Sequence, residues 1–197
     1  MWQEIVHLML LYGCLILSFL NRKRTNSKLY IYFVIVCILE TVPHFSFIQY
    51  NRLYSYGTLF CILFFTFYYS RHLLGQKNII YALGLFSFYG GLMTVFNSEQ
   101  TYSLGLAIIF CTFYIILSLL YFFSKLQNGS NVFIIKKEAF WVSTALLFWS
   151  IFFLFRVLPM YWLEENDIAF LAVLNSIFKV ATIVTYVFFL IAVTRKY

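Results

Sequence analysis

The chain predicts an all-α integral membrane protein with seven transmembrane helices, and three observations carry that prediction. Of 197 residues, 63% are hydrophobic and 11% charged, with a mean hydropathy of +0.86. A soluble domain is roughly 45 to 50% apolar and about 25% charged. Seven apolar runs follow one another, several long enough for a helix to cross a bilayer, which takes ~20 residues. Basic residues also concentrate in alternate connections, the charge pattern of membrane topology.

The runs occupy approximately 5–20, 29–48, 53–70, 79–96, 102–123, 139–162 and 168–193. Seven spans of ~20 residues use about 140 positions, so 1–197 forms one transmembrane domain with no room for a soluble catalytic or nucleic-acid-binding domain. Positive charge follows the first run (Arg22, Lys23, Arg24) and no A-x-A-like site appears, so this run is expected to stay as a span and not to be cleaved as a signal peptide.

Between the first and second runs lie Arg22, Lys23, Arg24 and Lys28, and between the third and fourth Arg71 and Lys77. Lys125, Lys136 and Lys137 separate the fifth from the sixth, and the tail has Arg195 and Lys196. The opposite connections hold only Arg52, against Glu4, Glu99, Glu164, Glu165 and Asp167. The positive-inside rule then places the N-terminus outside and the C-terminus in the cytoplasm, which requires an odd number of crossings. A bacterial inner membrane is the expected location. The net charge of +7 reflects topology, and no direct nucleic-acid binding is expected.

In the second run, Glu40 and His44 share a helix face at i and i+4, and Pro43 removes a backbone donor in the outer half. The fourth run places Gly84, Ser87 and Gly91 on one face, which lets another helix approach closely. That face predicts an interior position or a homo-oligomer seam. The connection 124–137 is expected to lie partly on the membrane surface near anionic headgroups, or to dock a cytoplasmic partner. Within it, Asn128-Gly129-Ser130 matches a glycosylation acceptor but is expected to be a turn on the cytoplasmic side. In the sixth run, Phe148 to Phe155 predicts lipid-facing bulk or core, and Pro159 predicts a kink.

Trp2, Tyr50, Tyr54, Tyr121, Trp141, Tyr161 and Trp162 lie near predicted interfaces, where amphipathic rings are expected. Cys14, Cys37, Cys61 and Cys111 fall in four different runs without metal-ligand spacing, so they are expected to be small buried residues and no metal site is predicted.

The ionisable residues within spans are His7, Glu40, His44, Arg156 and Lys179. A cation at membrane depth costs at least ~2.5 to 3.5 kcal/mol, so it should face protein or a water-filled cavity. At 1.5 Å per residue, Lys179 lies ~16 Å below the outer end of its run, Glu40 ~12 Å, and Arg156 and His44 roughly 6 to 9 Å. Asn175, Lys179, Thr182 and Tyr186 recur at i, i+4, i+7 and i+11, a polar stripe that must look inward. The candidate ligand-binding residues are therefore Lys179, Glu40, His44, Arg156, Asn175, Thr182 and Tyr186. They would line an outward-opening pocket between the second, sixth and seventh helices. With Glu40 paired to Lys179 or Arg156, one cation remains, which favours a small anionic ligand. A buried ion-pair network that only fixes helix packing is the other reading.

Catalysis has no support in HExxH, GxSxG or paired intramembrane aspartates, so no catalytic residue is assigned. A lysine in the seventh helix invites comparison with retinal-binding rhodopsins, but 54–70 has no acid to serve as counterion, and no cofactor is expected.

Glu40 in the second run, Asn51 and Tyr56 entering the third, Phe140-Trp141 opening the sixth and Asn175 in the seventh give the chain a broader likeness. With them it resembles the small seven-helix membrane modules common in Bacteroidota, which occur alone or in front of histidine kinases. That resemblance implies a non-catalytic sensory or accessory module whose output belongs to a separate cytoplasmic signalling or effector protein. A membrane accessory protein of a bacterial defence system, CRISPR-linked ones included, is a related reading. The alternative is a small-solute transporter or channel with a midplane site, favoured by the intramembrane charges and prolines and opposed by the lack of an evident inverted repeat. Membrane lipids are expected partners in every case.

Overall fold

Peptide groups in an apolar run have no water to bond in a bilayer, so the run satisfies them internally as helix. The computed structural model is all-α and describes residues 2–22, 28–45, 52–97, 103–127 and 134–195. Its helices are α1 (Trp2–Leu20), α2 (Leu29–Phe45), α3 (Leu53–His72), α4 (Lys77–Asn97), α5 (Leu104–Gln127), α6 (Glu138–Val157), α7 (Met160–Asn166) and α8 (Ile168–Thr194). Short 3-10 turns precede α4 and α6.

Each long helix packs on its neighbour in sequence, α6 packs on α8, and α1 closes the ring against α8. Neighbours along the chain run antiparallel: Phe19 meets Tyr30, Tyr32 meets Phe64, Tyr81 bonds Ser70 and Phe110 meets Trp149. α1 and α8, by contrast, run parallel. Cys14 sits against the Tyr186 carbonyl at 3.5 Å, and Asn21 donates to the Val193 carbonyl at 3.3 Å.

Among the described residues five segments are long and apolar enough to cross a membrane: α1, α4 with the turn before it, α5, α6 and α8. The α2 helix is shorter, and α3 carries Tyr54, Tyr56, Tyr68 and Tyr69 with several hydroxyl residues. Twelve of the 20 residues of α3 are buried, Ser55, Thr58, Thr66, Tyr68, Tyr69 and Ser70 among them, while Tyr54 and Tyr56 near its start are exposed. The exterior is apolar: Met9, Leu85, Phe86 and Phe96 are each 67 to 79% exposed. A soluble monomer rarely leaves such surface in water. A multi-pass membrane protein is the fitting class.

Below the bundle's midpoint, in the half where α3 and α5 end, the core is a layer of rings. Phe33, Phe65, Tyr69, Phe113 and Leu117 are at most 1% exposed. Phe65 meets Tyr114 edge-on at 5.1 Å and Phe33 meets Phe189 at 5.5 Å. Edge-to-face pairs of this kind contribute ~0.5 to 1.5 kcal/mol each. Tyr69 bonds Ser143 at 2.7 Å, and Tyr68 donates to the buried Glu138 carboxylate at 3.0 Å, tying α3 to α6.

One expectation changes and one open choice is decided. The sixth run is not one helix over 139–162. It stops at Val157, and Pro159 caps the short α7, its carbonyl accepting from the Leu163 amide. Proline lacks the N–H that would continue the ladder and clashes with the preceding turn. The small face of α4, expected either in the interior or at an oligomer seam, packs inside the bundle. A Cβ at Gly84 would strike the Thr66 side chain, and one at Gly91 would come within 2.8 Å of Leu59. Asn51, Glu99 and Asn128-Gly129-Ser130 lie outside the described residues. So do the side chains of Pro43, His44, Tyr161 and Glu165.

Candidate functional site

Seven of the helices surround a cavity of about 790 Å³: α1, α2, α3, α5, α6, α8 and, through Met160 alone, α7. The α4 helix, held outside by its small face against α3, contributes nothing to it. The lining begins where α1, α3 and α5 start and α6 ends, at Glu4, Tyr54, Leu104 and Arg156. It reaches down α8 from Phe178 to Phe189, about 16 Å of helix. Its floor is Tyr32, Cys61, Tyr114 and Phe189, with the ring layer directly beneath. The cavity is one-ended among the described residues.

The mouth carries the charges. Lys179 Nζ pairs with Glu4 Oε1 at 2.9 Å, so its partner is not Glu40. The physical reason is register. Parallel packing brings the first turn of α1 level with the twelfth residue of α8, and α8 therefore begins about 16 Å beyond this point. Lys179 accordingly sits level with the first turn of α1 and near the last turn of α6, where Arg156 stands. Its side chain is 48% exposed and that of Glu4 61%, so the pair is a mouth contact.

Arg156, in the last turn of α6, donates from Nε to Asn175 Oδ1 at 2.6 Å. Its Cζ lies 5.0 Å from the centre of the Phe178 ring, a cation–π contact. No carboxylate among the described residues pairs with it. Glu40 lines the cavity one turn above Val36, on the side of Tyr54 and Tyr186. Two acids, Glu4 and Glu40, and two cations, Arg156 and Lys179, now line the cavity beside His7, so the expected surplus of one cation is replaced by a balance. The asymmetry that remains is of partner: Lys179 has an acid and Arg156 an amide.

Of the stripe on α8, Lys179, Thr182 and Tyr186 line the cavity, while Asn175 stands behind Arg156 and orients it. Thr182 returns its hydroxyl to the Phe178 carbonyl at 2.9 Å. Tyr186 is buried, 5.0 Å from the His7 ring. The side chain of His44 lies outside the described residues.

Sequence reasoning set Glu4 aside as an interface acid, yet Glu4, His7, Leu11, Cys14 and Ser18 repeat at helical spacing, and the last three are buried. That stripe marks the inward face of α1. Tyr54, Thr58 and Cys61 at i, i+4 and i+7 mark α3 in the same way. Trp149 and Phe153, expected as lipid-facing bulk or core, stack at 4.6 Å and form one cavity wall. Tyr114 had no sequence signal. It is 2% exposed, and its buried hydroxyl has only the weak Cys61 thiol beside it.

Among the described residues no group of three His, Cys, Asp or Glu gathers to hold a metal ion. Chemically the arrangement offers a guanidinium at the mouth, an aromatic wall and hydroxyls along the depth, which suits binding. Comparison with protein-family models, curated proteins and solved structures finds no match to this chain.

Proposed function

We propose that the chain is a seven-span, inner-membrane sensory or accessory module, non-catalytic itself, with an outward-facing ligand pocket and a separate cytoplasmic signalling or effector protein as its output. The one-ended cavity is the observation that carries this reading. A ligand that enters between Glu4 and Arg156 meets a closed floor, so occupancy can bias helix packing without conducting a solute. The parallel run of α1 and α8 supports the odd number of crossings, with α2 and α3 as the two spans that polar or short sequence makes less obvious. Passage through the bundle would need a route past Phe65, Tyr69 and Leu117, each buried in the ring layer.

Sidedness tests this. Thr182→Cys, on a Cys61→Ala background, should react with a charged, membrane-impermeant thiol reagent added outside. It should not react when the reagent is sealed inside proteoliposomes. Reaction from both faces, or flux of a small solute, would replace sensing by alternating-access transport.

A further inference from the structure

The α3 helix packs on α2, α4 and α5, and from Tyr56 to Arg71 it reaches the exterior along one stripe. Tyr56, Leu63, Phe67 and Arg71 are exposed and Phe60 is half-buried, while the positions between them are buried. Spacings of three and four put all five on one helix face. That face lies in the furrow between α2 and α4, and none of its residues lines the cavity. From Tyr56 to Phe67 the stripe covers about 16 Å of helix, close to half of a ~30 Å hydrocarbon core.

Two cations end the stripe. Arg71 Cζ stands 4.3 Å from the centre of the Phe67 ring, and Nζ of Lys28, the residue before α2, stands 5.6 Å from the same centre. Both side chains are exposed, and their charges are at most about 10 Å apart, the two distances laid end to end. One ring attracts both cations through its quadrupole but cancels neither charge. Among the described residues the one acid at that end of the bundle is Glu138, which is 1% exposed and bonded by Tyr68. Two like charges gathered without a carboxylate between them are a receptor for an anion.

We propose that the furrow between α2 and α4 holds an anionic phospholipid of the leaflet at that end, its phosphate between Arg71 and Lys28 and one acyl chain along Phe67, Leu63 and Phe60. Arg71 supplies a forked donor and Lys28 a point charge, and Phe67 holds the two together. A lipid fits better than a soluble phosphate because the charges stand at the end of an exposed apolar track that a free ion would leave uncovered. A headgroup of net negative charge is favoured over a choline headgroup, which would bring a third cation to the pair. The site is separate from the cavity and does not depend on what the cavity binds.

Native mass spectrometry of the full chain in detergent, titrated with phosphatidylglycerol, phosphatidylcholine or glycerol phosphate, tests this. Phosphatidylglycerol should form a one-lipid adduct about tenfold tighter than phosphatidylcholine. Lys28→Gln and Arg71→Gln should each weaken it about fivefold, the worth of one basic side chain at an anionic lipid surface. Arg71→Lys should weaken it less, because it keeps the charge and loses only the fork. Phe67→Leu, which preserves the apolar track and frees the cations, should narrow the preference, and the double variant Lys28→Gln with Arg71→Gln should erase it. All of these side chains are exposed, so the variants should fold. Arg195→Gln removes an exposed cation at the same end, on α8, and should leave the preference intact. Equal affinity for the two lipids, a preference that survives the double variant, or one lost equally in Arg195→Gln overturns the inference. Glycerol phosphate bound as tightly as phosphatidylglycerol would assign the two cations to a soluble phosphate and overturn it as well.

Discussion

Charge at the mouth illustrates how exposure sets the worth of a residue. Lys179 and Glu4 are both about half exposed, and an ion pair in that setting contributes ~0 to 1 kcal/mol. Lys179→Met should therefore fold and shift Tm by no more than about 4 °C, measured in detergent by a thermal scan. A fall much larger than this would mean the ammonium is a structural necessity of the bundle. Deeper in the molecule the same logic gives larger numbers. Tyr68 donates to Glu138, which is 1% exposed, and a hydrogen bond to a charged group is worth ~1.5 to 3 kcal/mol. Tyr69 bonds the neutral Ser143, and such pairs in membrane bundles average ~0.6 kcal/mol. Tyr68→Phe should thus destabilise more than Tyr69→Phe, and the reverse order in chemical unfolding would refute the assignment of Glu138 as an ionised acceptor.

Helices in this protein are specified by different physical signals, and their legibility in sequence differs accordingly. The runs of α1, α5 and α8 are apolar and unbroken, so existence and approximate ends could be read directly. The end of α6 could not, because the apolar run continues through Pro159 to Trp162 and only backbone chemistry stops the helix. The α4 helix shows the value of small residues. Gly84 faces Thr66 across the α3 contact with no space for a Cβ, so Gly84→Leu should force the helices apart at a cost of ~1 to 3 kcal/mol. A Tm unchanged by that substitution would show that α4 does not pack there. Gly75, in the turn before α4, has nothing near it, and Gly75→Ala is the matched control.

For the molecule as a whole, topology is the property that every functional reading needs. Arg52→Cys and Asp167→Cys should be labelled on intact cells by an impermeant maleimide. Gly75→Cys and Lys136→Cys should be labelled only after permeabilisation. The inverse division would reverse the orientation, and a mixed division would change the number of crossings. Composition and charge placement were enough to set the class, an all-α multi-pass membrane protein, because hydropathy and loop charge are summed along the chain and need no knowledge of neighbours. The polar stripe on the last helix was legible for the same reason, since helical periodicity is local. Which groups meet was not legible. The partner of Lys179, the amide that holds Arg156, the aromatic wall at Trp149 and the burial of Tyr114 beside Cys61 all depend on helix register and ring order. Those come from packing between segments distant in sequence, where a shift of one turn, about 5.4 Å, exchanges every partner while leaving hydropathy unchanged.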